Sequence, residues 1–96
     1  MAISAERVRA HVFISGKVQG VNFRTHLRDQ ARRGEVEGWV RNLADSRVEA
    51  IFEGSRGAVQ RLISWCYSGP TAADVEHVDV EWETATNREG PFAILW

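Results

Sequence analysis

Residues 16–24, which read GKVQGVNFR, join two segments of different periodicity. Before them, apolar side chains alternate with other side chains over residues 7–16, as is typical of a strand with one buried face. After them, Phe23, Leu27 and Ala31 recur at every fourth position, which predicts an amphipathic helix. The segment with two glycines is therefore predicted to be a loop that leads from a strand to a helix.

A loop in this place can bind an anion through its backbone. The first amide groups of a helix have no partner inside the helix, and the helix dipole is positive at that end. Gly16 and Gly20 are predicted to shape the loop, because a residue without a Cβ atom lets the backbone turn its N–H groups inward. Arg24 falls in the first helical turn, where its guanidinium can bind two phosphate oxygens. We therefore predict phosphate binding by six residues: Gln19, Gly20, Val21, Asn22, Phe23 and Arg24.

Two common nucleotide-binding patterns are absent from this loop. The pattern G-x-x-x-x-G-K-[ST] requires Lys and a hydroxyl residue after its second glycine, whereas Gly20 is followed by Val21 and Asn22. The dinucleotide pattern G-x-G-x-x-G is absent as well. The loop therefore argues against a nucleotide site.

Composition limits the class of protein. A chain of 96 residues with 44% apolar content suits one compact domain over 1–96. Twelve Lys and Arg against thirteen Asp and Glu leave a net charge of -1, which favours neither a nucleic acid nor a membrane surface as partner. Residues 1–7 lack the apolar stretch of a signal peptide, and no segment approaches the roughly 18 apolar residues of a membrane span. The lone Cys66 agrees with a reducing compartment, so we expect a soluble cytoplasmic protein.

The periodicity of the whole chain predicts five strands and two helices. Asn22 and Ser55 are the candidate N-caps of the helices. In chain order the predicted elements are a strand over 7–16, a helix over 22–33 that ends at Gly34, strands over 35–42 and 47–53 joined by a turn at 43–46, a helix that begins after Ser55 and ends at Gly69 and Pro70, a strand that contains Val78, Val80 and Trp82, and a short edge strand over 91–96.

This order is βαββαβ with an added terminal strand. It predicts an α+β fold, the ferredoxin-like sandwich of two helices on one mostly antiparallel sheet. Because crossovers are right-handed, the first two strands are expected to be parallel, with the third between them. The glycine loop and Asn42 then follow the same ends of strands that are about 10 Å apart.

Arg24 and Asn42 are the side chains that this edge offers for chemistry. Neither is a nucleophile or a general base at neutral pH. A phosphate monoester leaves as an alkoxide and needs an acid, whereas an acyl phosphate leaves as a carboxylate that is stable without one. Phosphoryl transfer then needs mainly positioning and charge stabilisation. We therefore predict hydrolysis of an acyl phosphate, with Arg24 and the loop amides on the phosphoryl group and Asn42 orienting the attacking water.

Two segments resemble the signatures of the acylphosphatase family. Residues 16–24 match G-x-V-Q-G-V-x-[FY]-R at every fixed position, and residues 38–43 (GWVRNL) are similar to the second signature at the expected distance. The resemblance extends over nearly the whole chain. It implies Arg24 as phosphate binder, Asn42 as the residue that positions water, carboxyl phosphates as substrates, no metal or other cofactor, and a monomer.

The chain departs from the family pattern at two positions. Ser46 stands where the family usually has glycine in the hairpin turn, so a left-handed backbone there would carry strain on the order of 1 kcal/mol. Leu43 stands where some members have a hydroxyl residue that helps to hold the asparagine. We expect both departures to leave the phosphate loop unchanged.

Two other classes of protein remain as alternatives. A module that binds a phosphate or small ligand without turnover is compatible with the same fold, because fold alone does not determine function. An RNA-binding domain shares the βαββαβ order. It is disfavoured because its aromatic signature is absent and the third strand carries Glu49 and Glu53.

The remaining residues with reactive or large side chains are predicted to be structural. His11, His26 and His77 are scattered along the chain without the spacing of a metal site. Cys66 lies on the apolar side of the second helix and is predicted to be a core residue. We expect three tryptophans to pack between the sheet and the helices, namely Trp39, Trp65 and Trp82, and Trp96 to be simply terminal.

Overall fold

Five strands and two helices form in the predicted order. The structure, a computed structural model, describes residues 6–96. Most of residues 1–7, which were expected not to form a signal peptide, therefore lies outside the described residues. The elements are β1 (Arg7–Lys17), α1 (Phe23–Arg33), β2 (Glu37–Asn42), β3 (Val48–Ser55), α2 (Arg56–Ser68), β4 (Asp74–Glu83) and β5 (Ala93–Ile94).

The strands form one sheet in the spatial order β4-β1-β3-β2-β5. Both β1 and β2 pair antiparallel with β3, so they are parallel to each other with β3 between them, as predicted. The strand β4 is antiparallel to β1, and only the short β5 runs parallel to its neighbour β2. The predicted ferredoxin-like sandwich with a mostly antiparallel sheet is confirmed.

Alternation along β1 separates the core from the open face of the sheet. Its side chains at positions 8, 10, 12 and 14 are buried beneath the helices. Phe23, Leu27 and Ala31 of α1 are buried against the same layer, and so is Cys66 of α2. Burial raises the pKa of the Cys66 thiol, which agrees with its predicted place in the core. No helix within 6–96 is long and apolar enough to cross a membrane.

The predictions that Trp39 and Trp82 pack between sheet and helices are wrong. Trp39 is opposite Ile51 of β3 and is not packed against the core cluster. Trp82 is 51% exposed, although its register partner on β1 is the buried Ala10. Trp82 is exposed because it lies near the end of an edge strand, beside the first turn of α2. There the Arg56 guanidinium carbon lies 5.9 Å from the ring centroid.

The second strand begins two residues later than predicted. Glu35 has a φ angle of 58°, a left-handed conformation that a strand does not use. The amide of the next residue, Val36, donates to the carbonyl of Ala31 at 2.8 Å and thereby closes the end of α1. The chain therefore becomes extended only at Glu37.

Two glutamates of β3 are buried on the open face of the sheet. The Glu53 carboxylate is 0% exposed and accepts hydrogen bonds from Arg9 Nη1 (3.0 Å) and from the amides of Thr86 (3.1 Å) and Asn87 (2.6 Å). Burial opposes ionisation, but these hydrogen bonds outweigh it and lower the pKa of Glu53. These hydrogen bonds hold the segment that follows β4 against β3.

Candidate active site

The ends of β1 and β2 lie at the same edge of the sheet. Ile14 of β1 is opposite Val48 of β3, and Val48 is opposite Asn42 of β2. The loop that leaves β1 therefore begins close to the level at which β2 ends. We call this edge the rim. The predicted meeting of the two sequence motifs at one edge of the sheet is confirmed.

The two glycines of the loop segment have different surroundings. Gly16 still belongs to β1, at a register shift against β4, with a φ angle of 117°. A Cβ atom there would lie 2.3 Å from the carbonyl oxygen of Asp74, so only glycine fits. Gly20 lies in the loop itself with a φ angle of 74° and has open space around its Cα. Gly16 thus shapes the strand end, and Gly20 shapes the turn.

Asn22 occupies the predicted position before α1 but caps it differently from expectation. Its φ angle is 61°, and its side chain makes no capping hydrogen bond. Its carbonyl oxygen instead accepts the first helical hydrogen bond, from the amide of His26 at 3.1 Å. The amides of Phe23, Arg24 and Thr25 precede that bond, and such amides have no acceptor inside a helix. They lie where the helix dipole is positive.

A cavity of about 150 Å³ lies at the rim between the loop and the end of β2. A volume this small suits a small anion with solvent better than a larger ligand. Its walls are formed by Val18, Gly20, Asn22, Phe23, Arg24, Thr25, Asn42 and Trp96. Arg24 and Asn42 are thereby brought to one cavity, together with three of the loop residues predicted to bind phosphate.

Gln19 and Val21, the other two predicted phosphate-binding residues, are not among these walls. Val21 is buried in the hydrophobic core, where it anchors the loop. The side chain of Gln19 is directed to the turn between β2 and β3. Its Nε2 donates to the carbonyl oxygens of Leu43 (2.8 Å) and Arg47 (2.9 Å).

Arg24 contributes a positive charge that no carboxylate within 6–96 neutralises through an ion pair. Its guanidinium carbon lies 4.5 Å from the centroid of the Trp96 ring, a cation–π distance. A guanidinium in contact with a ring face keeps its N–H donors at its edge available. It can therefore bind an anion in the cavity.

Asn42 presents a buried acceptor that lacks a donor. Its Oδ1 is the one buried side-chain nitrogen or oxygen in the part of the chain that the structure describes that has no hydrogen-bond partner. An unpaired buried polar group costs about 1–3 kcal/mol, so such an atom indicates a missing donor.

Trp96 is a site residue that sequence reasoning missed. The strand β5 pairs in parallel with β2, with Ile94 opposite Val40, and the amide of Leu95 donates to the carbonyl of Val40 at 2.8 Å. Asn42 lies two residues after Val40, and Trp96 lies two residues after Ile94, so the pairing brings Asn42 and Trp96 to the same edge. A two-residue strand leaves no periodic signal, so only the sheet pairing reveals this placement.

The other groups considered from the sequence are not among the residues that line the rim cavity. Among the described residues, His, Cys, Asp and Glu form no cluster of three or more suited to a metal ion. His11 pairs with Glu49 on the open face of the sheet at 2.6 Å, and Nδ1 of His26 contacts the carbonyl of Asn22 at 2.8 Å. A larger cavity of about 590 Å³ lies near the start of α2 and contains none of the predicted site residues.

Comparison with known proteins identifies the family. The acylphosphatase family profile matches residues 10–94. A relative named acylphosphatase from Chloroflexus aurantiacus is 67% identical, with 93% of this chain and 97% of the relative aligned; one from Roseiflexus is 63% identical, with 95% and 98% aligned. The solved structure of an acylphosphatase from Coxiella burnetii superposes with a TM-score of 0.87 at 35% identity, covering 93% of each chain. The chain therefore belongs to the acylphosphatase family, the enzymes that hydrolyse acyl phosphates.

Proposed function

We propose that the rim cavity is the active site of this acylphosphatase, in which Arg24 and the loop amides bind the phosphoryl group and Asn42 orients the attacking water. The amides are those of residues 19–24, at the positive end of the α1 dipole. The Arg24 guanidinium supplies the charge that balances a phosphate dianion. Arg24 forms no ion pair with a carboxylate among residues 6–96, which supports this assignment.

The unpartnered Oδ1 of Asn42 carries the proposal. Asn42 lines the same small cavity as Arg24, and its amide oxygen can accept a hydrogen bond from one water molecule once the side chain turns that oxygen toward the cavity. That water is then held beside a phosphoryl group bound by the loop. Positioning of this kind is the main contribution that a protein makes to phosphoryl transfer.

The chemical step needs no protein acid. The water oxygen forms a bond to phosphorus on the side opposite the acyl oxygen, and the bond between phosphorus and the acyl oxygen breaks. The electron pair of that bond leaves with the carboxylate, which is stable at neutral pH. The proton from water passes to an oxygen of the transferred phosphoryl group. Arg24 and the amides stabilise the charge spread over the phosphoryl oxygens.

We further propose that the protein acts as a single-domain monomer in the cytoplasm, on small acyl phosphates, without nucleic acid or metal. A nearly balanced charge supports the absence of a nucleic-acid partner. The small cavity supports a site that holds the phosphoryl group while the acyl part extends outward. The alternative is a module that binds phosphate without turnover, and kinetics distinguish the two.

The test is hydrolysis of a synthetic aromatic acyl phosphate in the presence of a chelator. We expect turnover by the unmodified protein and a loss of kcat/KM of at least about a thousandfold in Arg24→Ala. Asn42→Ala is expected to lose about a hundredfold or more in kcat. Arg33→Ala, which removes an exposed arginine from the same helix, serves as the control and should retain activity. Full activity in Arg24→Ala and Asn42→Ala would refute the assignment.

A further inference from the structure

We propose that the side chain of Gln19 is a positioning residue, which holds the turn between β2 and β3 against the phosphate loop and so sets the distance from the bound phosphoryl group to Asn42. This inference rests on the proposed function, because it assigns Asn42 to the attacking water. It assigns to Gln19 a role for its side chain, separate from its backbone amide in the loop.

Two hydrogen bonds carry the inference. Nε2 of Gln19 donates to the carbonyl oxygen of Leu43 at 2.8 Å and to that of Arg47 at 2.9 Å. A carboxamide nitrogen has two hydrogens, so both are used by these bonds. The side chain therefore has no N–H left for a phosphate, and Gln19 does not line the rim cavity. Its carboxamide instead binds the turn between β2 and β3.

The turn that Gln19 contacts is closed by its own hydrogen bonds. The amide of Leu43 donates to the carbonyl of Arg47 at 2.8 Å, and the amide of Ser46 donates to the carbonyl of Leu43 at 3.2 Å. Asp45 accepts from the amide of Arg47 at 3.1 Å and from its Nε at 2.8 Å, and these bonds lower the pKa of Asp45. A turn closed in this way moves as one unit, so fixing two of its carbonyls fixes its position.

The contact matters because the loop follows β1, Asn42 is the last residue of β2, and these two strands are not neighbours in the sheet. The strand β3 separates β1 from β2, so no ladder hydrogen bond joins the loop directly to the end of β2. Leu43, whose carbonyl Gln19 binds, directly follows Asn42 in the chain. The Gln19 side chain thus spans the gap across which water must attack phosphorus.

The expected effect of losing this contact is a slower chemical step with little change in phosphate binding. Gln19→Met keeps the size of the side chain and removes both donors. A misplacement of about 1 Å in reacting groups costs on the order of a hundredfold in rate. We expect kcat to fall roughly ten- to a hundredfold, while the inhibition constant of inorganic phosphate changes less than about threefold, because Arg24 and the loop amides remain.

A double-mutant cycle with Asn42→Ala separates positioning from a merely structural role. If Gln19 acts through Asn42, the double variant Gln19→Met/Asn42→Ala should have nearly the kcat of Asn42→Ala alone. Gln60→Met, an exposed glutamine of α2, is the matched control and should have the kcat of the unmodified protein. Gln19→Leu repeats the test if the methionine variant does not fold, and urea unfolding verifies that each variant is folded.

Three results would overturn the inference. The first is an unchanged kcat in folded Gln19→Met. The second is an equal loss in kcat and in phosphate affinity, because it would assign the effect to the phosphate loop. The third is a double variant whose losses multiply, because Gln19 and Asn42 would then act independently. Failure of the proposed function is recognised separately, since Arg24→Ala and Asn42→Ala would then keep full activity.

Discussion

At the scale of single residues, the proposed chemistry depends on two groups that each lack a partner. Arg24 has a positive charge without an ion-pair partner in residues 6–96, and Asn42 has a buried oxygen without a donor there. Both line one cavity of about 150 Å³. In the proposed mechanism a phosphoryl group binds Arg24 and a water molecule binds Asn42. Positioning and charge stabilisation by these two groups are then enough for a substrate that carries its own good leaving group.

Trp96 is expected to support Arg24 from one side. A cation–π contact at an exposed site contributes about 0.5–1 kcal/mol, so Trp96→Ala should raise the inhibition constant of phosphate roughly two- to fivefold. Trp96→Phe should retain most of the affinity, because it keeps an aromatic face. The free energy of unfolding should fall by no more than this amount, since Trp96 is 93% exposed. Phosphate affinity that is equal in Trp96→Ala and the unmodified protein would contradict this role.

At the scale of elements, the strand ends and turns determine where the reactive groups lie. The amphipathic and alternating patterns predicted β1, α1 and α2 to within one or two residues, because burial of one face specifies their period. The positions of Gln19 and Trp96 followed from no local pattern. One depends on a hydrogen bond between residues 24 positions apart, and the other depends on a parallel pairing of two residues.

The hairpin turn between β2 and β3 carries the strain expected from its sequence. Ser46 has a φ angle of 76°, a conformation that costs a non-glycine residue about 1–2 kcal/mol. Glycine removes this strain. Its greater conformational freedom in the unfolded chain, however, lowers the free energy of unfolding by about 0.4–1 kcal/mol. Ser46→Gly should therefore raise the free energy of unfolding by roughly 0.5 kcal/mol, as measured by urea unfolding.

Ser46→Ala provides the control for this prediction. Alanine keeps the Cβ atom and hence the strain, so no gain in stability is expected. A Ser46→Gly variant that is less stable than Ser46→Ala would contradict the account of the turn. Activity should be the same in both variants, because the hydrogen bonds of the turn involve the backbone of Ser46.

At the scale of the whole molecule, the rim and the charged network are at opposite ends of the sheet. The network joins Glu53 to Arg9, and Arg9 also donates to Glu83 (3.0 Å) and Glu89 (2.8 Å). Alternation along β3 directs Glu49 and Glu53 to the open face of the sheet, opposite the core. It could not show that both are buried, because the cover comes from neighbouring strands and from a segment more than 30 residues away.

Acid should destabilise the protein through this network. The pKa of Glu53 is lower in the folded protein than the value of about 4.3 expected when unfolded. Its stabilising contribution is therefore fully present above that value and is lost as the pH falls toward the folded pKa. The pKa of Glu49 is lowered as well, since hydrogen bonds from His11 and Arg41 outweigh its burial. The free energy of unfolding should thus fall progressively below about pH 5.

Glu53→Gln tests the contribution of the carboxylate. Removing one partner of a buried ion pair costs on the order of 3 kcal/mol, and the loss should be largest near pH 7 and shrink toward pH 3. Glu81→Gln, at an exposed position of β4, should leave the unfolding curve nearly unchanged. Urea unfolding between pH 3 and pH 7 compares the three proteins. A pH dependence that is identical with and without Glu53 would contradict the prediction.

The central claim is that one group binds phosphate and another positions water in the same cavity. It is tested most directly by measuring kcat and the inhibition constant of inorganic phosphate in Asn42→Ala and in Arg24→Ala. The account predicts that Asn42→Ala loses about a hundredfold in kcat while binding phosphate almost as well as the unmodified protein, and that Arg24→Ala loses phosphate affinity as well as turnover. Loss of phosphate affinity in Asn42→Ala with an unchanged kcat would contradict it.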